Sequence, residues 1–527
     1  MKEDMKVRNF HQARWNEPII FELSTQGQRG ILIPEPEKEL REQVGEFENL
    51  IPKSIERKRK AALPEIAQPQ VLRHFLRLSQ ETLGQDINID IGLGTCTMKY
   101  SPKINEQFVS NHKFSELHPL QDDETTQGIL EIIYKTEEML KEISGMDSFS
   151  FQPGGGAQAV FSNASILKAY HSDRGEVEQR DEIITTLLSH PVNAAAPRTK
   201  GFKVITLMPD KETGYADIET LKSVVSNRTA GMFITNPEDT GIYNPIVKEM
   251  IKIVHDAGGL CIADQADANG LFGITRAREA GYDMCHFNLH KAFSSPHGSM
   301  GPCCGAQGVR DYLVKYLPSP VVKFDGKRYG LDNDRPESIG KIREFYGVIA
   351  VVLRAYAWIL SIGAERLKEV SEISVINNNY MMKKLLKEVK GISVPWAEGQ
   401  FRMEQIRYSW EKLKNDTGVN TEDIDRRSGD YGLQGYFQSH HPRIIKEPFT
   451  PEPNESYSKK EIDEYVNIFK KISEEAYENP EIVKTSPHNG PISLIPKEEI
   501  TDPDDLIVTW RVYKRKKKLD VFDRLLK

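Results

Sequence analysis

Lys291 lies in the segment His286-Phe-Asn-Leu-His-Lys-Ala-Phe-Ser-Ser-Pro-His-Gly298, just after a short apolar run. An earlier apolar run, Gly259-Leu-Cys-Ile-Ala-Asp264, ends in a carboxylate. A lysine amine can close a Schiff base on the aldehyde of pyridoxal phosphate. A carboxylate beside the pyridine nitrogen keeps that nitrogen protonated, so that the ring draws electrons from a substrate carbon. Lys291 and Asp264 therefore predict a site for pyridoxal 5'-phosphate, covalently bound to Lys291.

The hydrophobic pattern between about 86 and 340 alternates short apolar runs with helical stretches. The stretch 246–256 places apolar residues at i, i+4, i+7 and i+8, as a helix does. This alternation predicts an α/β sheet with mostly parallel strands, at whose carboxyl edge Asp264 and Lys291 are both expected. The predicted strands are 182–188, 203–207, 232–235, 260–263 and 285–289.

The chain divides by composition into three regions. Residues 1–85 mix charged runs with prolines and are expected to form an arm that wraps a neighbour. Residues 86–340 are predicted to form the large, cofactor-binding domain, and residues 341–527 a smaller C-terminal domain. The apolar stretch 348–364 is broken by Arg354 and is too short for a membrane span, so we predict a buried helix there.

The overall composition is typical of a cytoplasmic enzyme. A length of 527 residues allows about two or three domains. A net charge of −7 gives no general attraction to nucleic acid or to an anionic membrane, and neither is expected as a partner. Five cysteines in so long a chain do not form a disulfide framework, which favours a reducing compartment. The charged N-terminus, Met1-Lys-Glu-Asp-Met-Lys6, lacks the apolar stretch of a secretory signal.

A triple glycine is the candidate for the phosphate site of the cofactor. Gly154-Gly155-Gly156-Ala157 precedes a helical stretch, and glycines let backbone amides approach an anion where the helix dipole favours it. Gly155, Gly156 and Ala157 are therefore expected to bind the phosphate, with a plain turn as the alternative. The pattern is not the G-x-G-x-x-G of a dinucleotide site.

Zinc is a weaker alternative at the lysine segment. His286 and His290 are four residues apart, and Cys303 and Cys304 follow, so the residue types are those that zinc uses. On a strand, however, side chains four apart stand too far from one another to share an ion easily. We therefore predict no metal site.

Further motifs occur in one order along nearly the whole chain. They are Glu17-Pro-Ile-Ile-Phe-Glu-Leu-Ser24, Gly94-Thr-Cys-Thr-Met-Lys-Tyr-Ser-Pro-Lys-Ile-Asn-Glu106, His118-Pro-Leu-Gln121, Glu124-Thr-Thr-Gln-Gly128, Gln152-Pro-Gly-Gly-Gly-Ala-Gln158, Asp334-Arg-Pro-Glu-Ser-Ile-Gly340 and Phe345-Tyr-Gly347. Together with the lysine segment they resemble the β subunit of the two-subunit glycine decarboxylase, the P-protein family of the glycine cleavage system. The resemblance implies fold type I of the pyridoxal phosphate enzymes, the aspartate aminotransferase-like fold, with a smaller C-terminal α+β domain.

The same resemblance implies roles for further site residues. His190 lies in Ser189-His-Pro-Val-Asn-Ala194, which resembles a family stretch whose histidine stacks on the pyridine ring. Thr235 and Asn236 open a loop that resembles the family's Thr-Asn-Pro-Ser-Thr-x-Gly, which implies contact with the cofactor. The resemblance further implies that His290 and His297, on either side of Lys291, hold the phosphate or the substrate carboxylate, and that Lys99 or Tyr100 meets the substrate.

The resemblance implies an aminomethyl-transferring glycine dehydrogenase. Such an enzyme decarboxylates glycine and passes the aminomethyl group to the lipoyl arm of H-protein. The family pairs the β chain with a homologous α chain that lacks the cofactor lysine, and this chain, which carries Lys291, is expected to be the catalytic half. The expected assembly is a heterotetramer with that α subunit, or a homodimer.

Three segments depart from the family pattern. The chain has Pro296-His-Gly-Ser-Met-Gly-Pro-Cys-Cys304 for Pro-His-Gly-Gly-Gly-Gly-Pro-Gly, and Asp264-Gln-Ala-Asp-Ala-Asn-Gly270 for Asp-Gly-Ala-Asn-Leu-Asn-Ala. It also has Arg402-Met-Glu-Gln-Ile-Arg-Tyr-Ser409 for Met-His-Glu-Phe-Val-Leu-Ser. These changes keep open a divergent paralogue that acts on another amino acid by related chemistry, with or without H-protein. A cofactor-free scaffold subunit is a third hypothesis, against which the retention of Lys291 and Asp264 argues.

Overall fold

The computed structural model describes residues 7–31, 33–45, 51–58, 61, 63–84, 86–96, 99–296, 303–441, 443–494 and 509–517. The chain divides into two compact units. The larger unit comprises Met1–Arg8, Gln85–Ser428 and Leu433–Lys484, and the smaller unit comprises Asn9–Gly84, Gly429–Gly432 and Thr485–Lys527. The division into an arm, a large domain and a small domain at residues 85 and 340 stays a prediction.

A seven-stranded sheet forms the centre of the larger unit. Its strands are β1 (Ser148–Ser150), β2 (Glu182–Thr186), β3 (Lys203–Leu207), β4 (Thr229–Thr235), β5 (Leu260–Gln265), β6 (Met284–Asn288) and β7 (Gly305–Val309). Their order in the sheet is β1-β7-β6-β5-β4-β2-β3. Strands β2 to β6 pair in parallel, whereas β7 is antiparallel to both β6 and β1. The mostly parallel α/β sheet that the sequence predicts is therefore confirmed.

Each of the five predicted strands is present, but β1 and β7 were not predicted. β1 reads Ser-Phe-Ser and β7 reads Gly-Ala-Gln-Gly-Val, so neither has the apolar run of a buried strand. Close packing explains the glycines of β7, because a Cβ on Gly308 would lie 2.5 Å from the ring of Phe149 on the neighbouring strand. Such a strand is specified by its neighbours rather than by its own hydrophobicity.

Helices surround the sheet and continue into the C-terminal part of the chain. They are α1 (Lys38–Val44), α2 (Gln68–Gln80), α3 (Ile104–Ser110), α4 (His112–Ser115), α5 (Gln127–Ser144), α6 (Gly156–Asp173), α7 (Val192–Thr199), α8 (Ile218–Val224), α9 (Val247–Asp256), α10 (Ala277–Ala280), α11 (Ile349–Glu388), α12 (Glu411–Thr417), α13 (Thr421–Gly429), α14 (Lys459–Glu478), α15 (Pro480–Lys484) and α16 (Trp510–Lys517). The remaining strands are β8 (Val321–Phe324), β9 (Tyr329–Asp332), β10 (Tyr408–Ser409) and β11 (Pro448–Phe449). Short 3-10 helices lie at Ile20–Leu23, Ile91–Cys96, Asp123–Thr125 and Asp311–Tyr316.

Strands β4 and β5 are buried on both faces, which explains their continuous apolar sequences. Ile262 belongs to one core cluster, together with side chains of α6, whereas Ala263 belongs to the opposite cluster, together with side chains of α9 and α11. Each large aliphatic side chain buried in this way stabilises the fold by roughly 1.5–3 kcal/mol. Asp264 follows directly on this buried run, so the core itself positions the carboxylate at the edge of the sheet.

The long helix α11 contains the apolar stretch 348–364, for which a buried helix was predicted. Val351, Val352, Ala355 and Trp358 are buried along this part, which confirms the prediction. The helix is interrupted at Gly363, where φ is 75° and ψ is 164°, a conformation that suits glycine. Within the described residues, none of the helices combines the length and the apolarity needed to cross a bilayer.

The C-terminal part of the larger unit has its own aromatic core. The ring of Phe449 in β11 lies 5.4 Å from that of Trp410 and 5.7 Å from that of Phe469 in α14. Helix α14 begins with a capping box, in which Ser458 Oγ accepts from the N–H of Glu461 and the Glu461 carboxylate accepts from the N–H of Ser458. This core supports the segments that complete the site described below.

The smaller unit contains α1, α2 and α16. Its polar centre is the buried carboxylate of Glu17, which lies 3.0 Å from His74 Nδ1 and accepts a hydrogen bond from Arg77 at 3.2 Å. The ring of Phe21 stacks on Trp510 of α16 at 4.3 Å. Residues Glu17 and Phe21 belong to one of the motifs that carry the family resemblance.

Candidate active site

Asp264 lies at the carboxyl end of the sheet, where three elements hold its side chain. Oδ2 accepts hydrogen bonds from Asn193 Nδ2 of α7 at 2.9 Å and from Thr235 Oγ1 of β4 at 3.3 Å. Oδ1 accepts from the backbone N–H of Ala266 at 3.1 Å and lies 3.1 Å from Nε2 of His286 in β6. The carboxylate is therefore buried and fixed in one orientation.

The pKa of Asp264 results from opposing effects. Burial raises the pKa of the carboxyl, but the charge and hydrogen bond of His286, the charge of His190 and the N–H of Ala266 lower it further. The net result is a pKa well below the ordinary value of 3.8, so Asp264 is ionised at neutral pH. The surrounding groups thus maintain a negative charge in the interior.

Lys291 lies in the turn that follows β6, at the carboxyl edge of the sheet where the sequence predicts it. Its backbone N–H donates to the carbonyl of Asn288, the last residue of the strand, at 2.9 Å. Lys291 is only 7% exposed. Lysines are seldom so buried unless they have a partner or a function. The side chain lines a cavity that Asp264 also lines.

Four of the predicted site residues line this one cavity. They are His190, Thr235, Asp264 and Lys291. Side chains from the loops after the strands and from the C-terminal segments complete the wall. These are Leu188, Pro237, Asp239, Ala266, Asp267, Glu404, Gln405, Phe437 and His440. The described part of the wall thus combines a lysine, two histidines and four carboxyl groups with four apolar side chains.

His190 follows β2 and packs against a second histidine. The ring centroids of His190 and His440 are 4.4 Å apart, with planes at 70°. Nδ1 of His190 accepts a hydrogen bond from the N–H of Val192 at 3.1 Å. Burial lowers the pKa of His190 to about 4, and burial followed by the charge of His190 lowers that of His440 to about 3. Both rings are therefore neutral at pH 7.

The last residue of β4, Thr235, and the first residue of the following loop, Asn236, direct their side chains differently. Thr235 Oγ1 contacts Asp264 and receives a hydrogen bond from Asn193 at 3.3 Å, so it lies within the site. Asn236 turns towards Asn244, whose N–H donates to Asn236 Oδ1 at 2.8 Å. Asn236 thus stabilises the loop and is not among the described residues that line the cavity.

The triple glycine forms the start of α6, with Gly155 as the N-cap residue. A Cβ on Gly155 would lie 2.8 Å from Cys303 Sγ, and one on Gly156 would lie 3.0 Å from Nδ2 of Asn288. Both glycines therefore permit a close approach to the end of β6, beside the turn that carries the lysine. The first N–H groups of a helix lack intrahelical partners and attract anions, and Ala157 in that turn is exposed.

The remaining predicted contacts lie away from the described cavity wall. His290 is buried but does not belong to the residues that are described as lining the cavity. His297 lies outside the described residues. Lys99 is buried with Nζ 2.7 Å from Glu455 Oε1, and the side chain of Tyr100 is exposed.

Sequence reasoning missed four residues of the site. Asn193 and His286 hold Asp264, and the pairing of His286 with Asp264 follows from the parallel register of β5 and β6. Aligning the two strands would have identified it. His440 and Glu404 come from C-terminal segments without periodic pattern, so nothing in their local sequence indicates that they reach the cavity.

The segments that depart from the family pattern meet at this cavity. Asp267 and Gln405 line it directly. Arg407 forms a buried ion pair with Asp239, and burial lowers the pKa of Arg407 to about 10. The changed stretch 299–300 lies outside the described residues.

One group of described residues brings three potential metal ligands together, namely His255, Cys261 and Asp283. Its carboxylate already has partners. Asp283 Oδ2 accepts from the N–H of Cys261 at 2.6 Å and lies 2.8 Å from His255 Nε2, while Oδ1 accepts from the Tyr312 hydroxyl at 2.5 Å. The group is thus a satisfied hydrogen-bond network. His286, one of the two histidines considered for zinc in the sequence, lies with Nε2 3.1 Å from Asp264 Oδ1.

Family models match two parts of the chain. Residues 151–301, which carry the glycines, the aspartate and the lysine, match class-V aminotransferases. Residues 370–496 match the C-terminal domain of glycine dehydrogenase.

Solved structures agree on the fold. A glycine decarboxylase (P-protein) of the glycine cleavage system, in inhibitor-bound form, superposes with a TM-score of 0.67 at 20% identity and covers 84% of this chain and 100% of its own. A NifS-like protein superposes with a TM-score of 0.56 at 15% identity, covering 73% of this chain and 99% of its own. The predicted fold type I of pyridoxal phosphate enzymes is confirmed.

Curated relatives match over nearly their whole length. The probable glycine dehydrogenase (decarboxylating) subunit 2 of Pyrococcus horikoshii is 43% identical over 98% of this chain and 100% of its own. Proteins of the same name from Staphylothermus marinus and Caldanaerobacter subterraneus are 37% and 39% identical, over 96% and 93% of this chain and 98% of their own. Identity at this level over the full length means that the chain belongs to the family of subunit 2 of glycine dehydrogenase (decarboxylating), as its motifs predict.

Proposed function

We propose that this protein is the pyridoxal-phosphate-bearing subunit of a two-subunit glycine dehydrogenase. It decarboxylates glycine and transfers the aminomethyl group to the lipoyl disulfide of an H-protein. The observation that carries the proposal is the shared cavity of Lys291 and Asp264, where a buried lysine and an ionised carboxylate line the same space. Membership of the family supports glycine as the substrate.

The residues present fit the cofactor. Lys291 would bind it covalently, since its side chain lines the cavity. The first turn of α6, with Gly155, Gly156 and Ala157, would bind the phosphate through backbone N–H groups, because the first N–H groups of a helix lack intrahelical partners. Thr235 would contact the cofactor directly. Asn236 and His290 would shape the loops on which Thr235 and Lys291 lie.

Asp264 would hold a proton on the ring nitrogen. When bound, pyridoxal phosphate supplies an electron sink for the electron pair that remains as carbon dioxide leaves. Asp264 can support this chemistry because His286 and Asn193 keep it ionised and oriented. Preorganised charge of this kind is worth on the order of several kcal/mol in a site shielded from water.

His190 would pack its neutral ring against the cofactor. Its pKa of about 4 means that the ring adds no positive charge next to Lys291 at neutral pH. The edge-on contact with His440 limits the positions that the His190 ring can take. The two histidines thus close one side of the cavity.

The proposal includes partners and a compartment. The name of the relatives, subunit 2, supports a companion subunit, which we take to be a homologous α chain in a heterotetramer; a homodimer is the alternative. A cytoplasmic location fits the four cysteines whose side chains are described, because all four are free thiols.

Reconstitution tests the proposal. Purified protein is combined with pyridoxal phosphate, glycine, a candidate α subunit and lipoylated H-protein, and exchange of labelled bicarbonate into the glycine carboxyl is measured. We expect exchange that Lys291→Ala abolishes and that Asp264→Asn reduces by roughly 100-fold or more while the cofactor stays bound. Absence of exchange in the complete mixture would contradict glycine as the substrate.

The polar cavity wall gives one reason to test other amino acids. Asp239 and Asp267 line the cavity at positions where the quoted family stretches have neutral residues. A divergent paralogue with another substrate is therefore the second candidate. Spectral titration of the bound cofactor with a panel of small amino acids separates the two, because only the true substrate saturates the change at low concentration and also undergoes decarboxylation.

A further inference from the structure

Two carboxyl groups on the cavity wall have no part in holding the cofactor. Glu404 is 1% exposed, and Asp267 lies in the loop that follows β5, the strand that contains Asp264. Both line the cavity with Lys291. Within the described residues, Glu404 Oε2 has no hydrogen-bond partner. Buried carboxyl oxygens without partners are costly, and proteins retain them mainly where function requires them.

A third carboxyl group lies behind these two. Glu452 is fully buried, and its Oε1 accepts a hydrogen bond from Asn269 Nδ2 at 2.6 Å. It does not belong to the described cavity wall. Glu404 itself packs against the chain at Gly270, where its Oε2 occupies the space that a Cβ would need. The backbone therefore fixes the position of Glu404 relative to Asp267.

Burial and neighbouring charges raise the pKa values of Glu404 and Glu452 in this cluster. Burial, and then the negative charge of Asp267, raise the pKa of Glu404 to about 8. Burial and the charges of Asp267 and Glu404 also raise the pKa of Glu452 well above its ordinary value. Like charges at short distance cannot all ionise. At neutral pH, Glu404 therefore presents a protonated carboxyl group to the cavity.

The proposed reaction takes up one proton. The C–C bond of glycine breaks, carbon dioxide leaves, and the electron pair of that bond forms the new bond from carbon to one lipoyl sulfur. The S–S bond breaks, and its electron pair goes with the second sulfur. When the amino group is protonated both in glycine and in the product, the aminomethyl thioether and the thiol together hold one hydrogen more than glycine and the disulfide, so the second sulfur must take a proton from an acid.

We propose that Glu404 is the acid that gives this proton to the departing lipoyl sulfur. The inference rests on the proposed function. Of the two carboxyl groups in the cluster whose pKa burial raises, Glu404 and Glu452, only Glu404 belongs to the described cavity wall. After the transfer, Glu404 and Asp267 are both charged, and this repulsion favours the return of a proton from water. General acids of this kind typically contribute about 10²- to 10⁴-fold to a rate.

Other titratable and charged groups face the same space, and they set the background for a pH experiment. Asp267 and Glu452 flank Glu404 directly. The groups across the cavity are His190, Asp239, Asp264, Lys291 and His440. Burial lowers the pKa of both histidines to about 4 or below, so neither titrates near pH 8. A change of rate around pH 8 that depends on position 404 is therefore assignable to Glu404.

The test compares Glu404→Gln and Asp267→Asn with the parent enzyme and a matched control. Glu137 is a buried carboxyl in α5 whose pKa burial also raises, but it accepts hydrogen bonds from Ser148 Oγ at 2.7 Å and from the N–H of Phe149 at 2.9 Å, outside the cavity wall. Glu137→Gln is the control. Each protein is assayed for cofactor absorbance, for bicarbonate exchange into glycine without disulfide, and for glycine-dependent thiol release from lipoylated H-protein.

In the parent and in Glu137→Gln, thiol release should fall as pH rises through about 8. Glu404→Gln should keep cofactor absorbance and bicarbonate exchange, but lose roughly 100-fold or more of thiol release together with this pH dependence. Asp267→Asn should move the alkaline fall to lower pH, because it removes the charge that raises the pKa of Glu404. Infrared difference spectra of the protein without substrate should show a protonated carboxyl band that Glu404→Gln removes.

The outcomes separate this inference from the proposed function. If the parent catalyses both reactions and Glu404→Gln releases thiol at a similar rate with the same pH dependence, the role of Glu404 is overturned while the proposed function stands. If the parent itself catalyses neither reaction with glycine, the proposed function fails and the inference fails with it. If Glu404→Gln does not bind cofactor, an unmoved pH profile in Asp267→Asn overturns the inference.

Discussion

Asp264 and His286 are paired across two adjacent parallel strands, with Asp264 Oδ1 3.1 Å from His286 Nε2. Both residues are buried, and both belong to the hydrogen-bonded register of β5 and β6. The sheet, rather than a loop, therefore fixes the distance between them. This pairing is the main reason that the pKa of Asp264 stays low despite burial, so it controls the charge of the cavity.

Replacement of His286 tests this relationship. His286→Phe should raise the pKa of Asp264 and reduce turnover by roughly 10- to 100-fold, the value of a hydrogen bond to a charged group. His286→Gln retains an N–H donor and should lose less. The measurements are turnover and the pH dependence of the cofactor absorbance. Equal activity of His286→Phe and the parent would show that Asp264 does not depend on its strand partner.

The two neutral histidines predict a loss of stability in acid. The unfolded chain binds protons on His190 and His440 as pH falls below about 6.5, whereas the folded protein resists until about 4 and 3. The two neutral rings therefore do not destabilise the folded protein above pH 6.5. As pH falls from 6.5 to about 4, the free energy of unfolding decreases by up to about 1.4 kcal/mol per pH unit for each ring. Urea unfolding of His190→Asn/His440→Asn should show a flatter fall in this range. The same slope in parent and variant would refute the assigned burial.

The ion pair of Asp239 and Arg407 predicts strong coupling in a double-mutant cycle. Asp239 lies in the loop after β4, and Arg407 lies beside β10 with its side chain almost fully buried. Asp239→Asn or Arg407→Met alone should each cost roughly 3–5 kcal/mol, because one buried charge is left unpaired. The double variant should cost less than the sum. The unfolding free energies of the four proteins measure this, and additive losses would contradict a direct pair.

Alanine substitutions at two glycines separate the cost of backbone strain from the cost of steric overlap. Gly241 and Gly340 have similar positive φ values, 74° and 82°. A Cβ on Gly241 would overlap the carbonyl oxygen of Gln405, whereas nothing lies within 4 Å of a Cβ on Gly340. Gly340→Ala should cost roughly 1–2 kcal/mol from backbone strain alone, and Gly241→Ala should cost clearly more. Similar melting temperatures for the two variants would mean that the loop after β4 does not pack on the segment near Gln405.

The part of the site that could be predicted from sequence is the part that lies at strand ends. Asp264 and Lys291 follow apolar runs, and the rule that parallel strands collect their functional groups at the carboxyl edge brings them together. Thr235 and His190 follow two further strands and reach the same cavity. For Asp264 and Lys291 the local sequence is sufficient, because the strand pattern determines the geometry, whereas the roles of Thr235 and His190 were implied by the family resemblance.

The rest of the site depends on tertiary contacts. Glu404 and His440 reach the cavity from segments that are distant in sequence and have no periodic pattern. Asn236 follows the same strand as Thr235, yet its side chain bonds to Asn244, and only the loop conformation reveals this. Strands β1 and β7 were missed for a similar reason, since their Ser- and Gly-rich sequences are specified by close packing with neighbours.

Mapping the attachment site of the cofactor shows whether Lys291 binds pyridoxal phosphate covalently. The protein is loaded with pyridoxal phosphate, reduced with borohydride, digested and analysed by mass spectrometry. Lys315→Ala, which removes an exposed lysine paired with Asp173, serves as the control for non-specific labelling. We expect the mass of the reduced cofactor on the peptide that contains Lys291. This added mass should be absent in Lys291→Ala and present in Lys315→Ala. Stoichiometric attachment to any other lysine, or no attachment at all, would contradict it.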